Sequence, residues 1–547
     1  MPVRSLTATS FFDPEFACPG CLVAGSLPWL LARCRSKWVP AWLFTDWRGN
    51  SRRGRDAWPA VVLLTLVLLR WSEQGMSRRA AVRRAGTDVV WRAAMGLSLG
   101  APTPSERTLR DFERFLHRRH GDTQVPRYLL VHEHIVRVCL DSGVVDVSKA
   151  TWAMDSTPMW CYGAVRDTVR LLGDGLRMLA QAWSHATRGS LAAVAEEWQM
   201  PFLLAKSTKG AFDVDWSQAA ATARIVSQLA ANVVDAVAFI RRRVMSVRQG
   251  LRRRLLRQCR HLLRVVQNDL ETDAQGNLVI AQRVAADRLV SITDPEARHG
   301  RKSKSQTFNG FKVHLLGDVI SGLILSVAVT KGNVHDGVPA HRLIRRARDL
   351  YTELQQVLAD TAYGGARLRH LVQGACGVEL IAPPPPVNGK EGKIGKGDIL
   401  VDLEARKVTC ANSVVTDDLR WAWSSEHGVH VPLVVWPKAA CDVCPLSPRC
   451  RGKETGGRRI LLHPYEDELR AAREAWSDPE TRATYRARAQ CERLVHQITR
   501  YGGRHARAFG LQQAQIQAHA IAMAANLRLL SRALVALVDD GRLAAAA

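Results

Sequence analysis

Phe-Lys-Val-His-Leu-Leu-Gly-Asp-Val-Ile-Ser-Gly-Leu-Ile-Leu-Ser-Val-Ala-Val (311–329) decides the fold class. Phe311, Val313 and Leu315 alternate with Lys312, His314 and Leu316, Ser321-Gly322 supplies a turn, and Leu323, Leu325, Val327 and Val329 alternate again. A side-chain repeat of two belongs to strands, so the stretch predicts a hairpin. A helix is predicted downstream over 338–354, then a short strand over 356–359 that ends on Asp360. Hairpin, helix and strand in that order give an α/β arrangement.

Two further stretches carry acids. Ala-Thr-Trp-Ala-Met-Asp-Ser-Thr (150–157) reads as a strand ending on Asp155. Near the C-terminus, Tyr485, Arg488 and Glu492 stand at i, i+3 and i+7. At about 100° per residue these fall within roughly 60° of each other on one helix face, which His496 shares. Two divalent cations held close together stabilise both the attacking and the leaving oxygen in phosphodiester chemistry. Hard cations such as Mg²⁺ take carboxylate oxygens and keep positions open for water and phosphate. Asp155, Asp360 and Glu492 can supply that cage, and an arginine on the same helix face can fork onto phosphate. Taken singly, each acid is more simply a cap, a turn residue or half of a surface ion pair.

The chain of 547 residues has a formal net charge of +26. So large a basic excess points to a polyanionic partner, most simply nucleic acid, with a merely solvated basic surface as the bland alternative. Apolar residues make up 47%, enough for a real core. No targeting leader is read in the first residues, and the apolar run 59–69 is too short for a membrane span and fits a buried helix. Twelve cysteines in so long a chain favour a reducing cytoplasm over a disulfide framework.

Residues 1–145 read as an all-helical, helix-turn-helix-like DNA-binding domain. Gly75 breaks the chain after an apolar helix, Ser77 can cap the next, and Arg78 and Arg79 open a basic face that would meet DNA. A catalytic domain follows over 146–535. It is interrupted by a helical insertion at 165–290 and a cysteine-bearing insertion at 383–464. Between Arg224 and Arg264 stand eleven arginines and one acid, Asp235, on helices whose other face is apolar. That arginine face can track phosphates or be only solvated.

Here the residues carry a family resemblance. The chain resembles DDE transposases of bacterial insertion sequences, in the group marked by Tyr, two residues, Arg, three residues, Glu, six residues, Lys. Tyr485, Arg488 and Glu492 match that spacing. So do the segments 294–305, Phe-Asn-Gly-Phe-Lys-Val-His (308–314), Val-Thr-Lys-Gly-Asn-Val-His-Asp (329–336) and Ala-Asp-Thr-Ala-Tyr-Gly (359–364). The stretches 54–116 and 504–529 resemble the group's leading helical domain and closing helix. The resemblance implies an RNase H-like mixed-sheet core with two Mg²⁺ at Asp155, Asp360 and Glu492. It implies cleavage at the element's DNA ends and transfer of the freed 3′-hydroxyl to target DNA, by a homodimer or larger assembly. The group's lysine is replaced by Thr499, with Arg500 beside it as a DNA contact. A basic loop holding Arg298, Arg301, Lys302 and Lys304 would grip double-stranded DNA near the site, as would Lys312. Such a protein works in the cytoplasm, on the bacterial nucleoid when bound to DNA. The rival reading is a DNA-binding regulator or a catalytically dead relic.

Cys441, Cys444 and Cys450, with Cys410 upstream, can supply four thiolates to a structural Zn²⁺. An iron–sulfur cluster would use the same ligands, and four free thiols are the remaining alternative.

Overall fold

The computed structural model describes residues 12–47, 57–276, 278–303, 305–386, 392–402, 405–425, 428–451 and 456–539. Its centre is a mixed six-stranded sheet. The strands are β1 (Trp152–Trp160), β2 (Arg298–Arg301), β3 (Thr307–Asp318), β4 (Ile324–Lys331), β5 (Gln356–Leu358) and β6 (Glu379–Ile381). They run in the order β6-β5-β1-β3, with β2 and β4 both pairing with β3. The pairs β6–β5 and β5–β1 are parallel, and β1–β3, β3–β4 and β3–β2 are antiparallel.

The alternation over 311–329 does what period two requires. Val313, Leu315, Val327 and Val329 pair across the β3–β4 hairpin and are buried. Helix α1 (Gly337–Leu350) and strand β5 follow in the expected order. Gly310 marks a close approach: a Cβ there would lie 2.1 Å from the Met159 carbonyl on β1. Only glycine lets the two strands meet at that point.

The backbone groups along β4 are closed in an unusual way. The long C-terminal helix, Leu511–Asp539, lies against this strand and answers it with side-chain amides. Ile324 donates its N–H to Asn526 Oδ1 at 2.9 Å, and Asn526 Nδ2 donates back to the Ile324 carbonyl. Gln515 does the same for Val329. Two amides thus stand in for a missing neighbour strand and satisfy groups that would otherwise be buried without partners.

The N-terminal helices form no core of their own. Helices Ala60–Ser72 and Arg127–Asp141 pack on the same C-terminal helix, and one continuous apolar cluster joins Leu63, Phe112 and Ile135 to Val313 and Val357. Ser77 and Ser105 cap the helices that follow them, each accepting the N–H three residues on. The intervening segment 169–292 does have its own core, built from Leu172, Trp183, Leu229, Val233, Leu255 and Leu262. Its helix Ala219–Arg243 belongs to a stretch that is long and apolar enough to cross a membrane by composition, yet it lays Val226, Leu229 and Val233 into that core.

Several expectations need correcting. Asp155 sits in the middle of β1, paired with Leu315, because the strand continues through Thr157 and Met159. The stretch from Tyr485 to Glu492 is not one α-helix: Pro479–Tyr485 is α-helical, Arg486–Cys491 is a 3₁₀ turn and Glu492–Ile498 is α-helical again. The chain kinks over Thr499–Gly503, where Gly502 takes φ +91°.

Candidate active site

Pairing register brings the two aspartates together. On parallel neighbours β1 and β5, Ala153 pairs with Leu358. Asp155 and Asp360 each stand two residues beyond that pair, so the carboxylates emerge side by side from the sheet. Asp360 caps the 3₁₀ turn Thr361–Tyr363 and accepts the Ala362 N–H at 2.9 Å. Asp155 accepts its neighbour's N–H, from Ser156, at 2.7 Å.

The 3₁₀ turn delivers a guanidinium between them. Arg488 Nη2 stands 3.0 Å from Asp155 Oδ2 and 3.7 Å from Asp360 Oδ2. Burial, opposed by Arg488 and the Ser156 N–H and reinforced by Asp360 and Glu492, leaves the Asp155 carboxyl raised to about 6. Burial also raises Asp360, again opposed by Arg488. Burial draws the Arg488 guanidinium down, but Asp155, Tyr485 and Asp360 more than offset this, and the net shift is upward. The site is therefore short of positive charge even with the arginine in place. Glu492, exposed at the start of its helix, adds its charge from the third side.

Tyr485 packs its ring edge-on to Trp476 at 4.9 Å. Its phenol is raised first by burial, with Arg488, Asp360 and Asp155 among the groups acting on it. His496 is exposed on the helix that Glu492 opens.

A fourth carboxylate belongs to the cluster and was missed in the sequence. Asp336 accepts from Ser156 Oγ at 3.0 Å and pairs with Lys312 Nζ at 2.6 Å. Tyr363 is buried behind it, its phenol raised well above the ordinary value by burial and then by Asp336, Asp155 and Asp360. The signal lay in the segment 329–336, whose terminal Asp336 follows strand β4 as Asp360 follows β5.

The DNA-contact candidates divide. Arg301, Lys302, Arg79 and Arg500 are exposed. Arg298 is not available: it is 1% exposed, paired with Asp287, and donates to the carbonyls of Pro295 and Ala297. Lys312 is held by Asp336 and the Val334 carbonyl, so it supports the acid cluster and does not face a free surface. Arg78 is bound to the buried Glu113, which also holds Arg70. Lys304 lies outside the described residues. Part of the arginine-rich stretch 224–264 lines a basic cleft. Arg257, Arg260, His261 and Arg264 face Pro295, Glu296 and Gln512 across about 570 Å³.

Among the described residues, no three of His, Cys, Asp and Glu form a ready-made metal cage. At the acidic site Arg488 lies between the two aspartates. Two adjacent aspartates short of positive charge, with a third acid near, are the oxygen donors a hard divalent cation takes.

Residues 281–527 match the family model described as "Transposase DDE domain", and residues 36–114 match one described as "Transposase domain". The first match includes Asp360, Arg488 and Glu492, whereas Asp155 precedes it and joins them through the β1–β5 register. No curated protein and no solved structure matches the chain.

Proposed function

The chain belongs to the insertion-sequence transposases that carry a DDE domain, and on that premise we propose that Asp155, Asp360 and Glu492 are its catalytic acids. The sheet order, with two parallel and three antiparallel pairings, supports an RNase H-like core. In this reading the three acids hold two Mg²⁺ between them. When bound, the ions polarise the scissile phosphate and activate the attacking oxygen. Arg488 offsets part of the aspartates' charge in the free protein and is poised to bind a phosphate oxygen. Tyr485, braced by Trp476, fixes the backbone that presents Arg488. Asp336, through Ser156 and Lys312, holds the strand bearing Asp155 in place.

Double-stranded DNA, both element ends and target, is the substrate. The chain acts as a homodimer or larger assembly in the cytoplasm. Arg301, Lys302, Arg79 and Arg500 supply phosphate contacts, and Arg257 and Arg260 in the cleft extend them. The observation that carries this reading is the convergence of Asp155 and Asp360 on one guanidinium across 333 residues of chain.

The test is strand cleavage and joining by purified protein with Mg²⁺ and DNA bearing the element's ends. Cut and joined products are expected from wild type, and neither from Asp360→Asn, which should still bind DNA. Binding without any cutting by wild type would return the protein to the regulator class.

A further inference from the structure

The segment between Asp360 and Glu492 folds into two small sheets. The first comprises Leu400–Asp402, Lys407–Thr409 and Val415–Thr416, and the second Leu419–Ser424, Val429–Val435 and Arg459–Leu461. Their shared core holds five buried apolar residues, Val408, Val434, Trp436, Ile460 and Leu462. A unit this thin buries too little apolar surface to hold two sheets together without a cross-link. The described cysteines form no disulfide to provide one.

Four cysteines meet in this unit. Cys410, Cys441, Cys444 and Cys450 line one small cavity of about 30 Å³, together with Trp436, Arg451 and Arg458. Each sits in a tight turn or a short helix. Cys410 opens a turn in which Ser413 donates to its carbonyl and Cys410 N–H donates to Val414, with Ser413 at φ +61°. Cys444 N–H turns back on the Cys441 carbonyl, and Cys450 ends the short helix that follows. The Arg458 N–H donates to Cys441 Sγ at 3.4 Å, the backbone-to-sulfur bond that steadies a thiolate.

We propose that Cys410, Cys441, Cys444 and Cys450 bind one structural Zn²⁺ as thiolates, pinning the first sheet to the second. Four sulfurs in two groups suit tetrahedral zinc, and a cavity of this size suits a single ion better than a four-iron cluster. Binding releases the four thiol protons to solvent and leaves a formal charge of −2, which Arg451 and Arg458 border. The first sheet also anchors the helix Glu466–Ser477, because Arg470 donates to the Val401 carbonyl. That helix leads into the segment bearing Arg488 and Glu492, so the ion steadies the path to the acidic site.

Elemental analysis of the purified full-length protein tests this. One zinc per chain is expected, with Cys444→Ser and Cys450→Ser losing it and Cys376→Ser retaining it. Should those variants fail to fold, wild type refilled with Co²⁺ alone is the second measurement. Intense sulfur-to-cobalt bands with tetrahedral ligand-field absorption are expected, together with four thiols that react with a disulfide reagent only after chelation. Metal-free wild type whose four thiols react at once would overturn the proposal, as would iron with labile sulfide or a cobalt spectrum lacking thiolate bands.

Discussion

Replacing Arg488 with alanine leaves two adjacent carboxylates with no counter-charge, and the cost follows from the geometry. Asp155 and Arg488 are in contact at 3.0 Å with side chains 14% and 21% exposed. Two unit charges about 4 Å apart in an effective dielectric of 20 attract by about 4 kcal/mol. Residual solvation and side-chain ordering offset part of this, leaving a loss of about 2 kcal/mol. The 3.7 Å contact to Asp360 adds little, because that aspartate is 38% exposed and screened. The loss depends on pH in a definite direction. The Asp155 carboxyl sits at about 6, above its ordinary 3.8, so its ionisation lowers stability as pH rises through 6. Without Arg488 its value rises further. The penalty is therefore full at pH 7.5 and small near pH 4.5, where Asp155 is protonated in the folded variant and wild type alike. Urea midpoints of metal-free wild type and Arg488→Ala at the two pH values measure it. In an Asp155→Asn background the loss at pH 7.5 should shrink by at least half. Equal stability at pH 7.5, or the same loss at both pH values, would refute the charge pairing. DNA strand cleavage by Arg488→Ala should fall about 100-fold, the usual cost of removing one pre-aimed donor to a reacting oxyanion.

Glu113 is 1% exposed and holds both Arg70 and Arg78. Glu113→Gln strands the buried Arg70 charge and should cost about 3 kcal/mol, read as a lowered thermal midpoint. Arg298→Ala should destabilise the protein and leave the salt dependence of DNA affinity unchanged. Arg301→Ala should do the reverse, reducing the salt slope by about one. Burial lowers His132 and His314 to about 4 and His519 well below its ordinary value. Folded values below the ordinary 6.5 mean that stability is complete above 6.5 and lost as pH falls toward 4. At pH 5 the loss is about 2 kcal/mol per histidine, and His314→Gln should flatten that part of a urea-midpoint profile.

What was legible along the chain was whatever depends on neighbours a few residues away. Alternation at 311–329 made β3 and β4 visible because a strand's two faces must differ in polarity. Ser77 announced its helix because a cap bonds only three residues ahead. The strand through Asp155 was placed five residues short of its end at Trp160, since Thr157 and Met159 lie past a carboxylate that looks like a terminus. The helical face of Tyr485, Arg488 and Glu492 was read from ideal α-geometry, whereas a 3₁₀ turn joins them.

Charge was legible as a sum and not as a destination. The excess of +26 said that this chain meets a polyanion, yet Arg78, Arg298 and Lys312 are spent on Glu113, Asp287 and Asp336. Residue type fixes what a side chain can do, and local spacing fixes the element it rides on. Which arginine faces DNA and which acids share a pocket depend on strand register and packing between segments hundreds of residues apart. Those contacts are chosen by the burial of the whole apolar core, a property that no short stretch of sequence contains.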